Sequence, residues 1–305
     1  MAQSPQAGRS SRDMRPTAIV LGNARAGGLA NGAGQAFASQ VAACKGLRVQ
    51  EIDIVEPDAL VPAARRAVEA EPDMILIAGG DGTIRSVAAL AGPAGVPLAP
   101  LPMGTMNLAP RRLYGERGLD AVLSALPHAR PVTWPAGRLN GEMFLLTAVV
   151  GFPAAAAAAR EESRADAPNL MRMFELAGQA VADGVSGRIR YSGEVSGEGV
   201  GLVAALGDLD DIFACRPPAE PCQAFDIVSV EPESLAELIS LGAQAWAQGW
   251  RSHASLREFQ TAKLNVDTDG PVHAMLDGEP MVIEGGAALE FCAHAVRFLS
   301  LDEAA

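Results

Sequence analysis

From Thr17 to about Leu126, short apolar runs alternate with helix-period runs, and this rhythm restricts the fold more than any other feature of the chain. "TAIVLGN" from Thr17 reads as a buried strand, and a small-residue helical pattern follows from about Ala30 to Cys44. "LRVQEIDIV" (Leu47–Val55) reads as a second strand. "DALVPAARRAVEA" (Asp58–Ala70) reads as an amphipathic helix, with Pro62 close enough to its start to be tolerated. "DMILIAGG" is the third strand, "TIRSVAALA" a helix, and "VPLAPLPMG" a proline-broken fourth strand. Strands separated by helices in this way build a parallel sheet covered by helices.

In open parallel sheets, ligands bind beyond the carboxyl ends of the strands. Three of the predicted strands end in polar, glycine-containing turns: "GNARAGG" (Gly22–Gly28), "GGDGT" (Gly79–Thr83) and "MGTMN" (Met103–Asn107). Glycine reaches backbone angles that other residues avoid and lets a ligand approach the main chain, at a cost in stability. One such turn is as well explained by a tight strand-to-helix connection with nothing bound. If the three strands are neighbours, however, all three turns open onto one crevice. Backbone N–H groups and a helix N-terminus there suit a phosphate. Three turns in register favour a phosphate-bearing ligand.

After Pro131 the rhythm changes. Strand-like runs follow one another: "MFLLTAVVGF" (Met143–Phe152), "GRIRYSG", "GVGLVAAL", "FDIVSVEP", "KLNVDTD" and "ALEFCAHAVRFLSL" (Ala288–Leu301). Glycine, proline and acidic turns separate them, and two helical patterns interrupt, around Asn169–Ala182 and Ser234–Gln248. A mostly antiparallel second domain, a sandwich, fits this pattern.

At 305 residues two domains are expected. With 49% hydrophobic and 20% charged residues the chain is of the folded, globular class. A net charge of −12 argues against a broad nucleic-acid footprint, which needs a basic face, and disfavours tight docking on an anionic membrane. Cys44, Cys215, Cys222 and Cys292 form no CxxC pair and read as reduced structural thiols. The arginine-bearing N-terminus lacks an apolar core, and no run reaches the ~18 apolar residues of a membrane span. A cytoplasmic protein is the expectation. No GxxxxGK[ST] is present, "GAGQAF" at Gly32 lacks a dinucleotide fingerprint's third glycine, and the protein-kinase set is absent.

"GGDGT", then "PLPMGTMNLA" (Pro100–Ala109), then "MLDGEP" (Met275–Pro280) resemble the diacylglycerol kinase catalytic family, which includes bacterial lipid kinases and the sphingosine kinases. "NGEMFLLTAVVGF" at Asn140 and "FDIVSV" extend the resemblance from Thr17 to Leu301. GGDGT is shared with NAD kinases; the set of three motifs is more specific. The polar run over 1–15 reads as a flexible tail, and the resemblance implies an α/β ATP-binding domain over 16–132 and a β-sandwich lipid domain over 133–287. A segment over 288–305 would pack back on the first domain.

The roles implied are these. Asn23 and the turn after it, with Gly79, Gly80, Asp81, Gly82 and Thr83, would hold ATP, Asp81 ordering the phosphate site. Gly104, Thr105 and Asn107 would line the same pocket, Asp277 would be the general base, and Glu279 would bind the nucleotide or its metal. Phosphoryl transfer asks for positioning, charge neutralisation and an acceptor for the hydroxyl proton, which suits this division. Magnesium would arrive on the ATP phosphates. On residue type alone, "LDGEP" is also an ordinary turn between strands.

The chain departs from the family pattern in three places. Leu108 stands where an aspartate usually follows the GTxN asparagine, and Pro135 stands where another acid precedes "NG". "RPPAEPCQAFD" replaces an acidic loop associated with a structural magnesium, so no metal ligand is named, although Asp208, Asp210 and Asp211 lie nearby in sequence. In "NLMRMFELAG", Leu170, Met173, Phe174 and Ala177 share one helical face. Most such stripes are core, but a methionine-rich face also suits an acyl chain. Arg160, Arg164 and Arg172 could meet headgroups or water.

The expected function is an ATP-dependent lipid kinase acting on the hydroxyl of a diacylglycerol-like or sphingoid lipid. Its expected partners are the lipid substrate and, transiently, a membrane surface, with no nucleic acid; a homodimer is left open. The alternatives are a non-catalytic nucleotide- or lipid-binding relative and NAD kinase. Against the latter, "GTMNLAPRRL" replaces the GxLGFL-type run.

Overall fold

A computed structural model describes residues 15–30, 32–151, 153–154, 188–213, 222–234, 237, 240 and 253–301. Strands β1 (Thr17–Asn23), β2 (Arg48–Val55), β3 (Met74–Gly79) and β4 (Leu98–Pro102) form a parallel array in the order β2-β1-β3-β4. Helices α1 (Ala33–Ala42), α2 (Leu60–Glu69) and α3 (Asp81–Ala94) connect them; α4 (Leu108–Tyr114) and α5 (Leu119–Ala125) follow. Every residue of β3 is buried, which is why it reads as an unbroken apolar run: a central strand is covered on both faces. Burying a side chain such as Leu76 or Ile77 there contributes about 1.5–3 kcal/mol.

The second half contains β5 (Arg130–Leu139), β6 (Glu142–Phe144), β7 (Thr147–Gly151), β8 (Ile189–Gly193), β9 (Gly197–Gly199) and β10 (Gly201–Ala205). After helix α6 (Leu209–Phe213) come β11 (Phe225–Val230), β12 (Leu256–Thr261) and β13 (Lys263–Thr268). The hairpin β14 (Val272–Leu276) and β15 (Glu279–Ile283) precedes the long β16 (Ala287–Ser300). One antiparallel sheet runs β12-β11-β10-β7-β14-β15. The fold is therefore a Rossmann-like α/β domain followed by an antiparallel β-sandwich domain.

The facing layer of the sandwich is continuous with the parallel array, through β16. Its first part pairs with β13 (Lys263↔Glu290), and its last part lies parallel to β4 (Phe298↔Leu98). Its register against β5 slips between Cys292 and Val296, an irregularity of the kind that bends a strand. Helix α3 rests on this stretch. A Cβ on Gly92 would stand 2.4 Å from the Ala295 carbonyl oxygen, so the approach requires glycine. One core fills the space between helices and parallel strands and reaches Val296 and Phe298. A second lies within the sandwich, where Phe144 stacks on Phe225 with ring centroids 5.6 Å apart.

Three local expectations need correction. Arg130–Leu139, dense in proline, is a strand that spans the expected boundary at 132–133. Pro135 lies opposite the irregular stretch of β16, where no ladder donor is missed. The run from Met143 is two strands rather than one, broken at Leu145 and Leu146. "GVGLVAAL" is likewise divided, between β9 and β10. The helical run at 169–182, with Leu170, Met173, Phe174 and Ala177, lies outside the described residues, as do Arg160, Arg164, Arg172 and most of 234–248.

Candidate active site

Strands β1, β3 and β4 are neighbours, so their carboxyl ends open side by side. The chain leaves β1 toward β2 on one side and leaves β3 toward β4 on the other, a topological switch point of the kind that binds ligands in open α/β sheets. A cleft of about 430 Å³ opens there. Asn23, Gly80, Asp81, Gly82, Thr83, Gly104 and Thr105 line it from the first domain, and Glu279 from the second.

Side chains tie the three turns together. Asn23 Nδ2 donates to Thr83 Oγ1 at 3.1 Å, joining the first turn to the second. The Asp81 carboxylate accepts the N–H groups of Leu108 at 3.2 Å and Ala109 at 2.9 Å. It thereby caps α4 from outside that helix's own turn and joins the second turn to the third. Asn107, in the left-handed region at φ 52°, accepts the Gly104 N–H at 2.7 Å. Neither Asn107 nor Gly79 lines the cleft; Asn107 shapes its wall through Gly104. The turns press closely: a Cβ on Gly104 would lie 2.7 Å from the Gly80 Cα. Helix α3 begins at Asp81, so the N–H groups of Gly82 and Thr83 have no acceptor within the helix.

The opposite wall is the β14–β15 hairpin. Its two-residue turn, Asp277–Gly278, has φ of 51° and 89°, the pattern of a type I′ turn, which selects for Asp-Gly on backbone grounds. Turn chemistry does not explain where the carboxylate goes. Oδ2 accepts the Leu145 N–H at 2.7 Å, and Oδ1 accepts those of Leu146 at 2.8 Å and Thr147 at 3.0 Å. These amides sit at the break between β6 and β7, so Asp277 holds that break together. Burial pushes its carboxyl up to about 6, against the pull of the three amides and the Arg85 charge. A carboxylate has about four acceptor positions, so one remains, on Oδ2. Asp277 does not line the cleft; Glu279, two residues on, does. A Cβ on Gly82 would stand 2.8 Å from Glu279 Oε1, which puts this acid over the start of α3.

The sequence reading passed over four other lining residues: Pro57, Leu60, Arg85 and Ser86. Arg85 had a usable signal, since the four-residue spacing from Asp81 puts both on one face of α3. Leu108, where the family pattern has an acid, opens α4 and gives its N–H to Asp81. Among the described residues no three His, Cys, Asp or Glu side chains cluster to hold a metal ion. No helix among them is long and apolar enough to cross a membrane.

Fold and cleft define a two-domain α/β protein whose crevice suits an anionic ligand. Residues 17–135 match the family model described as the diacylglycerol kinase catalytic domain. No curated protein matches the chain. A structure described as "a putative diacylglycerol kinase from Bacillus anthracis str. Sterne" superposes with TM-score 0.68 at 14% identity, covering 96% of this chain and 98% of that one. Another, described as a diacylglycerol kinase from the same strain, gives 0.63 at 14%, covering 93% and 96%. At such identities the likeness speaks for the fold.

Proposed function

We propose that this chain is an ATP-dependent lipid kinase, transferring the γ-phosphate to the hydroxyl of a diacylglycerol-like or sphingoid lipid. The observation that carries this reading is the convergence of three glycine turns and the start of α3 on one cleft, with Glu279 facing them from the second domain. The close approach of Gly104 to Gly80 fits a cradle made of main chain, as a triphosphate requires. The turns position the phosphates, with Asp81 holding two of the turns in register. Magnesium, when bound, supplies charge neutralisation; Asp81 and Glu279 are the cleft carboxylates suited to it. In the transfer, the lipid oxygen bonds to the γ-phosphorus, the bond to the ADP oxygen breaks, and the hydroxyl proton passes to Asp277. The free position on Asp277 Oδ2 is the one available for that proton. Contact with the membrane surface lasts only as long as the lipid is engaged.

A second reading, a non-catalytic binder, draws on Leu108 and Pro135 and on the engagement of the Asp277 carboxylate with three backbone amides. Titration calorimetry tests the shared part of both readings. MgATP should bind the wild type, and Asp81→Ala should weaken that binding while the protein stays folded. Equal affinity in a folded Asp81→Ala protein would remove the nucleotide from this cleft.

A further inference from the structure

Arg85 stands between the two domains. It lies one helical turn past Asp81 in α3, lines the cleft, and donates from Nη1 to the backbone carbonyl of Leu276 at 2.9 Å. Leu276 immediately precedes Asp277, so this bond fixes the hairpin turn to the first domain. A guanidinium carries five N–H groups in a planar fork. One is engaged here, and Arg85 forms no other hydrogen bond among the described residues.

The cleft's other arginine is placed differently. Arg25 bonds Glu56 at 3.1 Å, and 76% of its side chain is exposed at the rim. Asp81 and Glu279 add negative charge to the same walls, and a nucleoside triphosphate adds more. Arg85 is thus the cation set between the start of α3 and the Asp277 turn. Phosphoryl transfer depends on neutralising charge between donor and acceptor.

We infer that Arg85 is a further functional residue of the transfer: its guanidinium neutralises the migrating phosphoryl group, while its bond to the Leu276 carbonyl holds the Asp277 turn beside that group. The inference rests on the kinase reading above. Both tasks need the fork. A lysine ammonium is a point charge on a flexible stem and cannot hold the carbonyl and a phosphate oxygen in one fixed geometry. A purely structural strap would need the carbonyl bond alone.

The test uses the full chain with labelled MgATP and a lipid acceptor, comparing wild type, Arg85→Lys and Arg85→Ala, with melting recorded for each. Arg85→Ala should lower kcat about 100-fold, the usual loss when one electrostatic contact to a transition state is removed. KM for ATP should move far less than kcat, as for a group acting mainly in the transition state. Added guanidinium should restore part of the lost turnover, and Arg85→Lys should fall between the two. Unchanged kcat in Arg85→Ala overturns the inference. So does a loss that tracks melting alone and is not relieved by guanidinium. If the wild type transfers no phosphate, the kinase reading falls and takes this inference with it; an active wild type indifferent to Arg85 removes this inference alone.

Discussion

Asp277 and Leu145 stand 132 positions apart in the chain, and the carboxylate of one accepts the backbone N–H of the other at 2.7 Å. With the bonds to Leu146 and Thr147, this contact gives the β6–β7 break the acceptors that a continuous strand would have found in its neighbour. The proposed base is therefore also a structural element. A conservative substitution there should register in both melting and turnover.

Asp277→Asn retains one oxygen for Leu146 and Thr147 but presents an NH₂ group to the Leu145 N–H, donor against donor. Melting should fall, with a loss of about 1–3 kcal/mol for the unsatisfied buried amide. If Asp277 takes the hydroxyl proton, turnover in the folded fraction should fall further, by about 100- to 10,000-fold. Calorimetric melting and initial rates on the same sample separate the two losses. Full turnover per folded molecule would place the base elsewhere.

The pH dependence has a defined sign. Burial raises the Asp277 carboxyl from 3.8 to about 6 in the folded protein, so turnover should decline on the acid side with a midpoint near that value. Between 3.8 and about 6 the folded state binds more protons at this group than the unfolded state does. Its contribution to stability is therefore fully present below that window and lost as pH rises through it. Denaturant unfolding at several pH values should show the wild type's margin over Asp277→Asn widening as pH falls through the window. A margin that narrows would contradict the assignment.

Two glycines should respond in opposite ways. A Cβ on Gly104 meets the Gly80 backbone at 2.7 Å, where nothing flexible can give, so Gly104→Ala should destabilise the protein by about 1–3 kcal/mol. A Cβ on Gly82 meets only the end of the Glu279 side chain at 2.8 Å, which can swing aside. Gly82→Ala should melt like the wild type but raise KM for ATP, as should Glu279→Gln if that acid holds the nucleotide or its metal. Thermal melting and ATP saturation curves of the three variants decide this, and a Gly82→Ala protein with normal KM would release Glu279 from that role.

Much of this arrangement was legible in the residues. The buried run Met74–Gly79 and the alternation of strands and helices announce a parallel array, and the three polar turns locate its open end. Local pattern could not show that β16 continues the array into the sandwich, because that depends on pairings between residues as distant as Phe298 and Leu98. Pro131 and Pro135 disguised β5: Pro135 faces the irregular stretch of the partner strand, and Pro131 stands at the strand's beginning. The break at Leu145 and Leu146 was equally hidden, since its cause is a carboxylate from a distant hairpin. "LDGEP" could be read as a turn, but not as a turn whose first acid binds the amides of a distant strand break while the next acid lines the cleft.

The central claim is phosphoryl transfer to a lipid hydroxyl, and the most direct measurement supplies the wild-type chain with labelled MgATP and a panel of diacylglycerols, sphingoid bases and NAD. Label should appear in at least one lipid and not in NAD, and the lipid product should be a phosphate monoester. Label in NAD, or no labelled lipid from a folded protein that binds MgATP, would contradict the account.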